Sequence, residues 1–496
     1  MIASVPGNAS RPRIDRSHFL IALALLAIAF VPRLMIAHRA IWFDERFTLM
    51  NTASISQAVA YCVKDVHPPL YFILVAAWRM VLPSTEFSLR IFSLIFGIAS
   101  LVGIFLVARS IAGRRAGIAA FLVGALSPYH WLFSTELRPY SMFLAFSAFS
   151  TWAFLRLLKT GERRYFLIVA VLSALNLYTH YFAVFLVAVQ GLVFLLVALR
   201  NSVSGAWTPG HRNGQFMLGL LALGLVAIAY APWAGMLRRI VTESVLEGKV
   251  VGIGKRLGRG VTPDLLKRTV YGSMGWGIIP FCAQVILIGW GFVNRNLREV
   301  SLFFIAVWTL PVLMLLLWRP AHFIDPKYFL FAYPITVALV AASLEGAVRL
   351  MAARGMRSDL VFAALVLAVA ASPLLPGQHP PYAFHQADWR GIVAETEGYM
   401  KEGDRICFLD DSKSHAMFLY YMKDDFFRSH PLIILNANAD EGRFAPFTSG
   451  SDVWILRSGA LPEFISSGRG GQIKYVKTWY VYPTRVRLYH WVPRGG

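Results

Sequence analysis

Asp44-Glu45 and Asp65 lie in one polar stretch, residues 38–87, of a chain whose first two-thirds is otherwise almost purely hydrophobic. His67-Pro68-Pro69 stands directly behind the second acid. Ionisable groups kept beside a bilayer cost free energy, so their default reading is functional. A carboxylate there is suited to accept a hydroxyl proton as general base, or to ligate a divalent cation. A local reading exists beside it. From Glu45 to Val63 the residues Phe47, Ile55, Ala58, Val59 and Cys62 fit one amphipathic helix on the membrane, with Asp44 as N-cap and Glu45 complementing the dipole. The two readings are compatible, because a helix N-terminus holds a carboxylate rigidly. At the second acid, each proline fixes its own φ and extends the residue before it, which sets Asp65 and His67 on one side of the chain.

Other polar residues punctuate the apolar sequence at wider intervals. Arg90 opens a long apolar run, STELRPY at 134–140 carries Glu136, Arg138 and Tyr140, His180 sits in YTHY, and Lys327-Tyr328 closes RPAHFIDPKY. Each has a plain interpretation: a local Glu136–Arg138 ion pair, interfacial Tyr140 and His180, and snorkelling Arg90 and Lys327. Together they hold what a phosphate-bearing substrate requires, cations for the anion and hydrogen-bonding groups for hydroxyls. The 236–270 loop adds Lys255 and Arg256 among Gly252, Gly254, Gly258 and Gly260. Glycine-rich backbone binds phosphate through its amides, but no GxxxxGK[ST] pattern is present, so a phosphate headgroup is the more natural anion than a nucleotide.

These residues need elements to hold them. The chain has 496 residues, 57% hydrophobic and 15% charged, too apolar for a soluble globular protein of that length. Apolar runs over 19–37, 88–110, 116–133, 139–158, 165–178, 181–199, 215–235, 271–293, 300–318, 329–348 and 359–375 predict about eleven transmembrane helices. The net charge of +21 is scattered among and at the ends of these runs, which fits cationic cytoplasmic loops and a membrane partner rather than nucleic acid. Cys62, Cys282 and Cys407 are too widely separated to suggest a disulfide framework or metal cluster.

Arg11, Arg13 and Arg16 precede a first run that lacks a clean cleavage site, so it reads as an uncleaved helix with a cytoplasmic N-terminus. The positive-inside rule then puts Arg109/Arg114/Arg115, Lys159/Arg163/Arg164 and Arg349/Arg354/Arg357 in the cytoplasm, provided the short run 68–82 does not cross. On that arrangement every polar motif named above shares the external face. Residues 1–375 form the transmembrane domain, and 376–496 a small external α/β domain. Within the latter 386–402 and 412–423 read as helices, and 404–410, 452–457 and a pair over 473–491 as strands.

Read in order, Asp44-Glu45, DVHPPLYF at 65–72, EFSLRIFSLIFG at 86–97, STELRPYSM at 134–142 and DPKYFLFAYP at 325–334 resemble the GT-C superfamily of membrane glycosyltransferases. The resemblance, over roughly residues 19–350, is to the protein-O-mannosyltransferase-like group that includes the lipid A aminoarabinose transferases. It implies a sugar donor on a polyprenyl phosphate, used at the periplasmic or extracellular face of a bacterial inner membrane. It also implies catalytic roles for Asp44 and Glu45, further active-site groups at Asp65 and His67, and a functional arginine at Arg90. The late motif of that group usually reads Arg-Tyr, whereas this chain has Lys327-Tyr328. A lysine keeps the charge but lacks the bidentate fork.

The expected reaction is transfer of one sugar to an acceptor hydroxyl with inversion. Asp44 acts as general base, while Arg90, Arg138, Lys327 and the 236–270 cations, Lys255 and Arg256 among them, hold the leaving phosphate. Glu136, Tyr140, His180 and Tyr328 complete the substrate-binding set. No nucleotide is required, and a divalent metal on Asp44 and Glu136 is the one cofactor considered. A lipid-linked-sugar flippase would instead hold its ionisable groups near midplane in broken helices. A polysaccharide ligase or polymerase differs mainly in acceptor.

Overall fold

The apolar runs fold as helices because a bilayer leaves backbone groups no other way to be satisfied. The computed structural model describes residues 16–64, 67–203, 209–242, 278–318, 326–352, 358–372, 388–409, 412–422, 430, 432–435, 452–457, 471–481 and 484–493. In chain order the first helices are α1 (Arg16–Ala37), α2 (Phe43–Met50), α3 (Ile55–Lys64), α4 (Leu70–Val81), α5 (Glu86–Ala112), α6 (Arg114–Leu126), α7 (Pro128–Thr135) and α8 (Tyr140–Thr160). They continue with α9 (Arg163–Leu177), α10 (Ala183–Val203), α11 (Pro209–Val241), α12 (Ile278–Val293), α13 (Arg298–Trp318), α14 (Tyr333–Ala352) and α15 (Ser358–Ala371). A 3-10 segment, Pro326–Ala332, leads into α14.

Among the described residues, three helical segments are long and apolar enough to cross a membrane: α5, α8 and Lys327–Ala352. The pair α6–α7, bent by 70°, makes a fourth if the two helices are taken as one broken span. The sequence predicts one uninterrupted span there, over 116–133. It breaks because Pro128, at the first position of α7, has no N–H to continue the ladder, and Ser127 caps the new start. Arg33 of α1, fully buried, repairs the break. It donates to the Ala125 carbonyl (3.1 Å), Ser134 Oγ (3.1 Å) and His130 Nδ1 (2.8 Å). Since arginine only donates, His130 carries its proton on Nε2, 2.8 Å from Ser100 Oγ. Gly97 of α5 lets α7 approach closely, for a Cβ there would stand 2.3 Å from that of Ser134.

The polar stretch 38–87 contains α2, α3 and α4, of eight, ten and twelve residues. At 1.5 Å per residue the twelve residues of α4 reach about 18 Å, short of a hydrocarbon core about 30 Å thick. The single amphipathic helix expected over Glu45–Val63 is two helices. Ser54 Oγ accepts from Gln57 N (3.2 Å), and the Gln57 side chain reaches back to Ala53 N (3.2 Å) and the Met50 carbonyl (2.9 Å), so α3 starts afresh.

The remaining elements are α16 (Trp389–Tyr399), β1 (Arg405–Leu409), α17 (Ser412–Tyr421), β2 (Leu432–Leu435), β3 (Val453–Arg457), β4 (Gly471–Val481) and β5 (Thr484–Pro493). The strands form one sheet in the order β2-β1-β3-β5-β4. β1 runs parallel to β2 and β3, while β5 is antiparallel to β3 and β4. Strand β2 is absent from the sequence-based expectation, because its apolar run is only four residues long. Trp389, Phe408, Phe418 and Leu488 pack in one hydrophobic cluster with Ile41, Phe72, Val75 and Leu89. The sheet unit is therefore continuous with the polar stretch.

Candidate active site

Helix α2 begins at Phe43, with Trp42 rather than Asp44 at the N-cap. Glu45 occupies the third position and its Oε2 accepts from Trp42 N–H (3.2 Å), half of a capping box. Asp44 is thus relieved of capping. Its Oδ2 lies 3.3 Å from Lys327 Nζ, and its carboxylate remains partly open to solvent. Lys327 stands on the 3-10 segment because Pro326 starts that turn directly before α14. Its ammonium also lies over the rings of Tyr140 (5.2 Å) and Trp42 (5.5 Å), attracted by their π faces.

The link between α7 and α8 supplies Glu136 and Arg138. Arg138 donates to the Asp44 carbonyl (3.3 Å) and to His67 Nε2 (2.6 Å), and stacks over Phe72 at 5.9 Å. His67, just ahead of the prolines that start α4, therefore accepts on Nε2. His180, between α9 and α10, is stacked on Phe143 (4.5 Å) and sits 5.5 Å from the Tyr328 ring and 6.1 Å from that of Tyr140. Its Nδ1 accepts from Phe182 N–H (3.2 Å). Burial, reinforced by His67, Arg138 and Lys327, holds His180 well below the usual imidazole range, so it is neutral at pH 7.

The structure thus brings together Asp44, His67, Glu136, Arg138, Tyr140, His180, Lys327 and Tyr328 from five separate parts of the chain. Asp65, Lys255 and Arg256 lie outside the described residues.

Two of the expected site residues are held by other protein groups. Arg90 is fully buried and has no donor left for a phosphate. Its Nε and Nη2 grip Glu45 (3.0 and 2.5 Å), Nη2 also reaches the Ala40 carbonyl (2.9 Å), and Nη1 takes the carbonyls of Ala37 (3.2 Å) and Arg39. Those contacts use all five N–H groups of a guanidinium. Glu45 is equally occupied, with Leu137 N–H donating to its Oε1 (2.8 Å) besides Arg90 and Trp42. Burial alone pushes its carboxyl up, but Arg90 beside it and these hydrogen bonds outweigh that and keep it ionised. Glu45 and Arg90 therefore join α2, α5 and the 134–138 link as a buried brace.

Arg39 is a residue that sequence reasoning missed. All three guanidinium nitrogens are shut off from solvent and find no hydrogen-bond partner among the described residues. Burial and the neighbouring Arg90 lower its pKa to about 10, against the attraction of Glu45 and Glu136, so it stays a cation at neutral pH. Glu136 is its counterpart, with Oε2 buried and likewise without a partner. Burial, helped by Glu45 and Asp44 against Lys327, raises its pKa to about 8. Nothing in the local sequence distinguishes Arg39 from the many cations at helix ends. Only its position behind Glu45 and Glu136 does.

A divalent cation on Asp44 and Glu136 fits these residues poorly. Asp44 already faces an ammonium, burial keeps Glu136 largely protonated, and no group of three His, Cys, Asp or Glu side chains suited to a metal gathers among the described residues.

Residues 66–233, about a third of the chain, match the family model described as dolichyl-phosphate-mannose-protein mannosyltransferase. Comparison with curated proteins gives no significant match. Among solved structures the fold is similar to ArnT from Cupriavidus metallidurans in the apo state, at 12% identity and a TM-score of 0.53, covering 96% of this chain and 98% of that one. It is similar also to the same protein bound to undecaprenyl phosphate, at 13% identity and a TM-score of 0.51, covering 95% and 97%. The oligosaccharyltransferase AglB from Archaeoglobus fulgidus, in complex with an inhibitory peptide and a dolichol-phosphate, matches at 11% identity and a TM-score of 0.47, covering 89% and 68%. The mannosyltransferase-family segment thus runs through the site, and nearly the whole chain has a fold similar to that of the membrane protein ArnT.

Proposed function

We propose that the protein transfers one sugar from a polyprenyl-phosphate donor to an acceptor hydroxyl at the external face of the membrane, with inversion at the anomeric carbon. The observation that carries this reading is the set of buried, unmatched polar atoms around the Asp44–Lys327 pair: the Arg39 guanidinium, Arg138 Nε and Glu136 Oε2. Unpaired buried groups of this kind are costly, and a ligand with complementary atoms relieves the cost. A guanidinium with no hydrogen-bond partner among the described residues, beside a neutral carboxyl, calls for an anion joined to a hydroxylated group, which describes a sugar phosphate. The undecaprenyl phosphate in the similar ArnT structure agrees with that chemistry.

In this reading Lys327 exchanges Asp44 for the arriving phosphate, which leaves the Asp44 carboxylate to act as base. Asp44 takes the proton of the acceptor hydroxyl, whose oxygen forms a bond to the anomeric carbon. The bond from that carbon to the phosphate oxygen breaks, and its electron pair leaves with the polyprenyl phosphate. Lys327, Arg39 and Arg138 stabilise the charge that develops there. Neutral Glu136 and His180 hydrogen-bond sugar hydroxyls without adding charge. About eleven spans, a cytoplasmic N-terminus and an external sheet unit complete the proposal, and the acceptor is a protein, lipid or polysaccharide hydroxyl.

The test is Arg39→Met in the purified protein, with undecaprenyl phosphate as ligand and a radiolabelled undecaprenyl-phosphate sugar as donor. Removing a buried, unpaired cation should leave apo thermal stability unchanged or raise it, while lipid-phosphate affinity falls by roughly 10- to 100-fold. Unchanged affinity, or no sugar transfer by wild type with any polyprenyl-phosphate sugar offered, would sink the reading.

A further inference from the structure

Each of the six residues from Ala37 to Trp42, which feed into the Asp44 helix, has one backbone polar group held by a side chain. From the membrane side Arg90 takes the carbonyls of Ala37, Arg39 and Ala40, and Glu45 takes Trp42 N–H. From the opposite side the sheet unit holds two more. Tyr421, at the end of α17, accepts Ile41 N–H on its hydroxyl (2.5 Å) and donates that hydroxyl to Glu86 Oε1 (2.8 Å). Arg390 of α16 donates to the His38 carbonyl (2.6 Å) and lies 3.7 Å from Glu86 Oε2. His38 completes the grip by stacking on Phe87, with centroids 4.4 Å apart.

From this two-sided clamp we infer that the C-terminal sheet unit is part of the catalytic machinery, with Tyr421 and Arg390 as positioning residues that fix the direction of the Asp44 helix. The sequence separation carries the point: Tyr421 reaches Ile41 across 380 residues and Arg390 reaches His38 across 352, so no local folding requirement explains either bond. Arg90 takes three carbonyls of this turn, but among the described residues Ile41 N–H finds its acceptor on Tyr421 of the sheet unit. Two residues separate Ile41 from Asp44. A rotation of that short segment moves the carboxylate relative to Lys327. Burial and the Glu86 carboxylate push the Tyr421 phenol well up, so it remains a donor throughout the working pH range. A misplacement of about 1 Å at a reacting group costs up to about 100-fold in rate.

The inference rests on the proposed transfer reaction for its kinetic consequence, and on backbone protection for its structural one. Tyr421→Phe keeps the ring and removes both hydrogen bonds. Arg390→Gln, at a half-exposed position, tests the second contact should the first variant fold poorly. Each variant of the full-length protein is measured by hydrogen exchange over residues 38–50, by undecaprenyl-phosphate affinity, and by kcat and donor KM. Exchange over 38–50 should accelerate. The kcat should fall about 10- to 100-fold, with lipid-phosphate affinity and donor KM within about twofold of wild type. Unaltered exchange would overturn the clamp, whether or not the wild type transfers sugar. Accelerated exchange with full kcat would overturn its catalytic role. Loss of kcat and lipid affinity in equal measure would mark general disruption and overturn it too.

Discussion

Asp44 and Lys327 meet as an ion pair at 3.3 Å although 283 residues of chain separate them. The pair sits on two short helical starts, the first turn of α2 and the 3-10 segment before α14, each rigid and each set by its own local signal. A partly exposed carboxylate beside an ammonium is open to a second partner once the cation turns to another anion. That is the arrangement a glycosyl transfer from a phosphate leaving group needs.

Asp44→Asn separates the base from the scaffold. Trp42 is the N-cap and Glu45 closes the box, so the amide costs α2 little. Transfer should drop by about 10²- to 10⁴-fold with lipid-phosphate binding largely kept. Turnover at the wild-type rate would remove Asp44 from the chemistry.

Arg90→Lys addresses the brace. Both partners of the Arg90–Glu45 pair are fully buried, and a lysine loses the fork that meets five acceptors. Breaking such a pair costs roughly 3–5 kcal/mol, so the thermal midpoint should fall sharply. Protein that remains folded should bind undecaprenyl phosphate as wild type does. Weakened binding at an unchanged midpoint would return Arg90 to the phosphate site.

Glu136 gives a pH signature. Its native pKa is raised to about 8 from an ordinary 4.5, so the folded state keeps a proton that the unfolded chain releases. Its contribution to stability is complete below about 4.5 and is lost as pH rises through about 8. Glu136→Gln should flatten the decline in thermal midpoint between pH 5 and 8. A decline as steep as in wild type would show that the carboxyl is ionised in the native state.

Orientation is open to chemical labelling. In a background lacking Cys62, Cys282 and Cys407, Glu402→Cys should react with an impermeant maleimide added outside intact cells. Arg163→Cys should react only after permeabilisation. Both positions are exposed on the protein. The reverse pattern would invert the topology.

What the sequence determined by itself was what local chemistry and periodicity encode. Apolar length predicts the helical runs, Pro68-Pro69 predicts a helix start, and alternation predicts β1, β3, β4 and β5. The gathering of acids between 38 and 87 and the motif around Glu136 to Tyr140 marked the neighbourhood of the site, because ionisable groups are rare enough in such a chain to stand out. Their division of labour was not legible. Asp44 and Glu45 are adjacent acids on one turn, and only the long-range packing of α5 against α2 gives Glu45 to Arg90 while Asp44 turns toward Lys327. Arg39 and Arg33 look alike in the sequence, a cation at the end of an apolar run. One is satisfied by the broken α6–α7 helix, and the other has no hydrogen-bond partner among the described residues. The grip of Tyr421 on Ile41 was equally hidden, since a hydrogen bond between residues 380 apart leaves no periodicity in either segment. Burial and pairing depend on which surfaces meet, and that is decided only when the whole chain has folded.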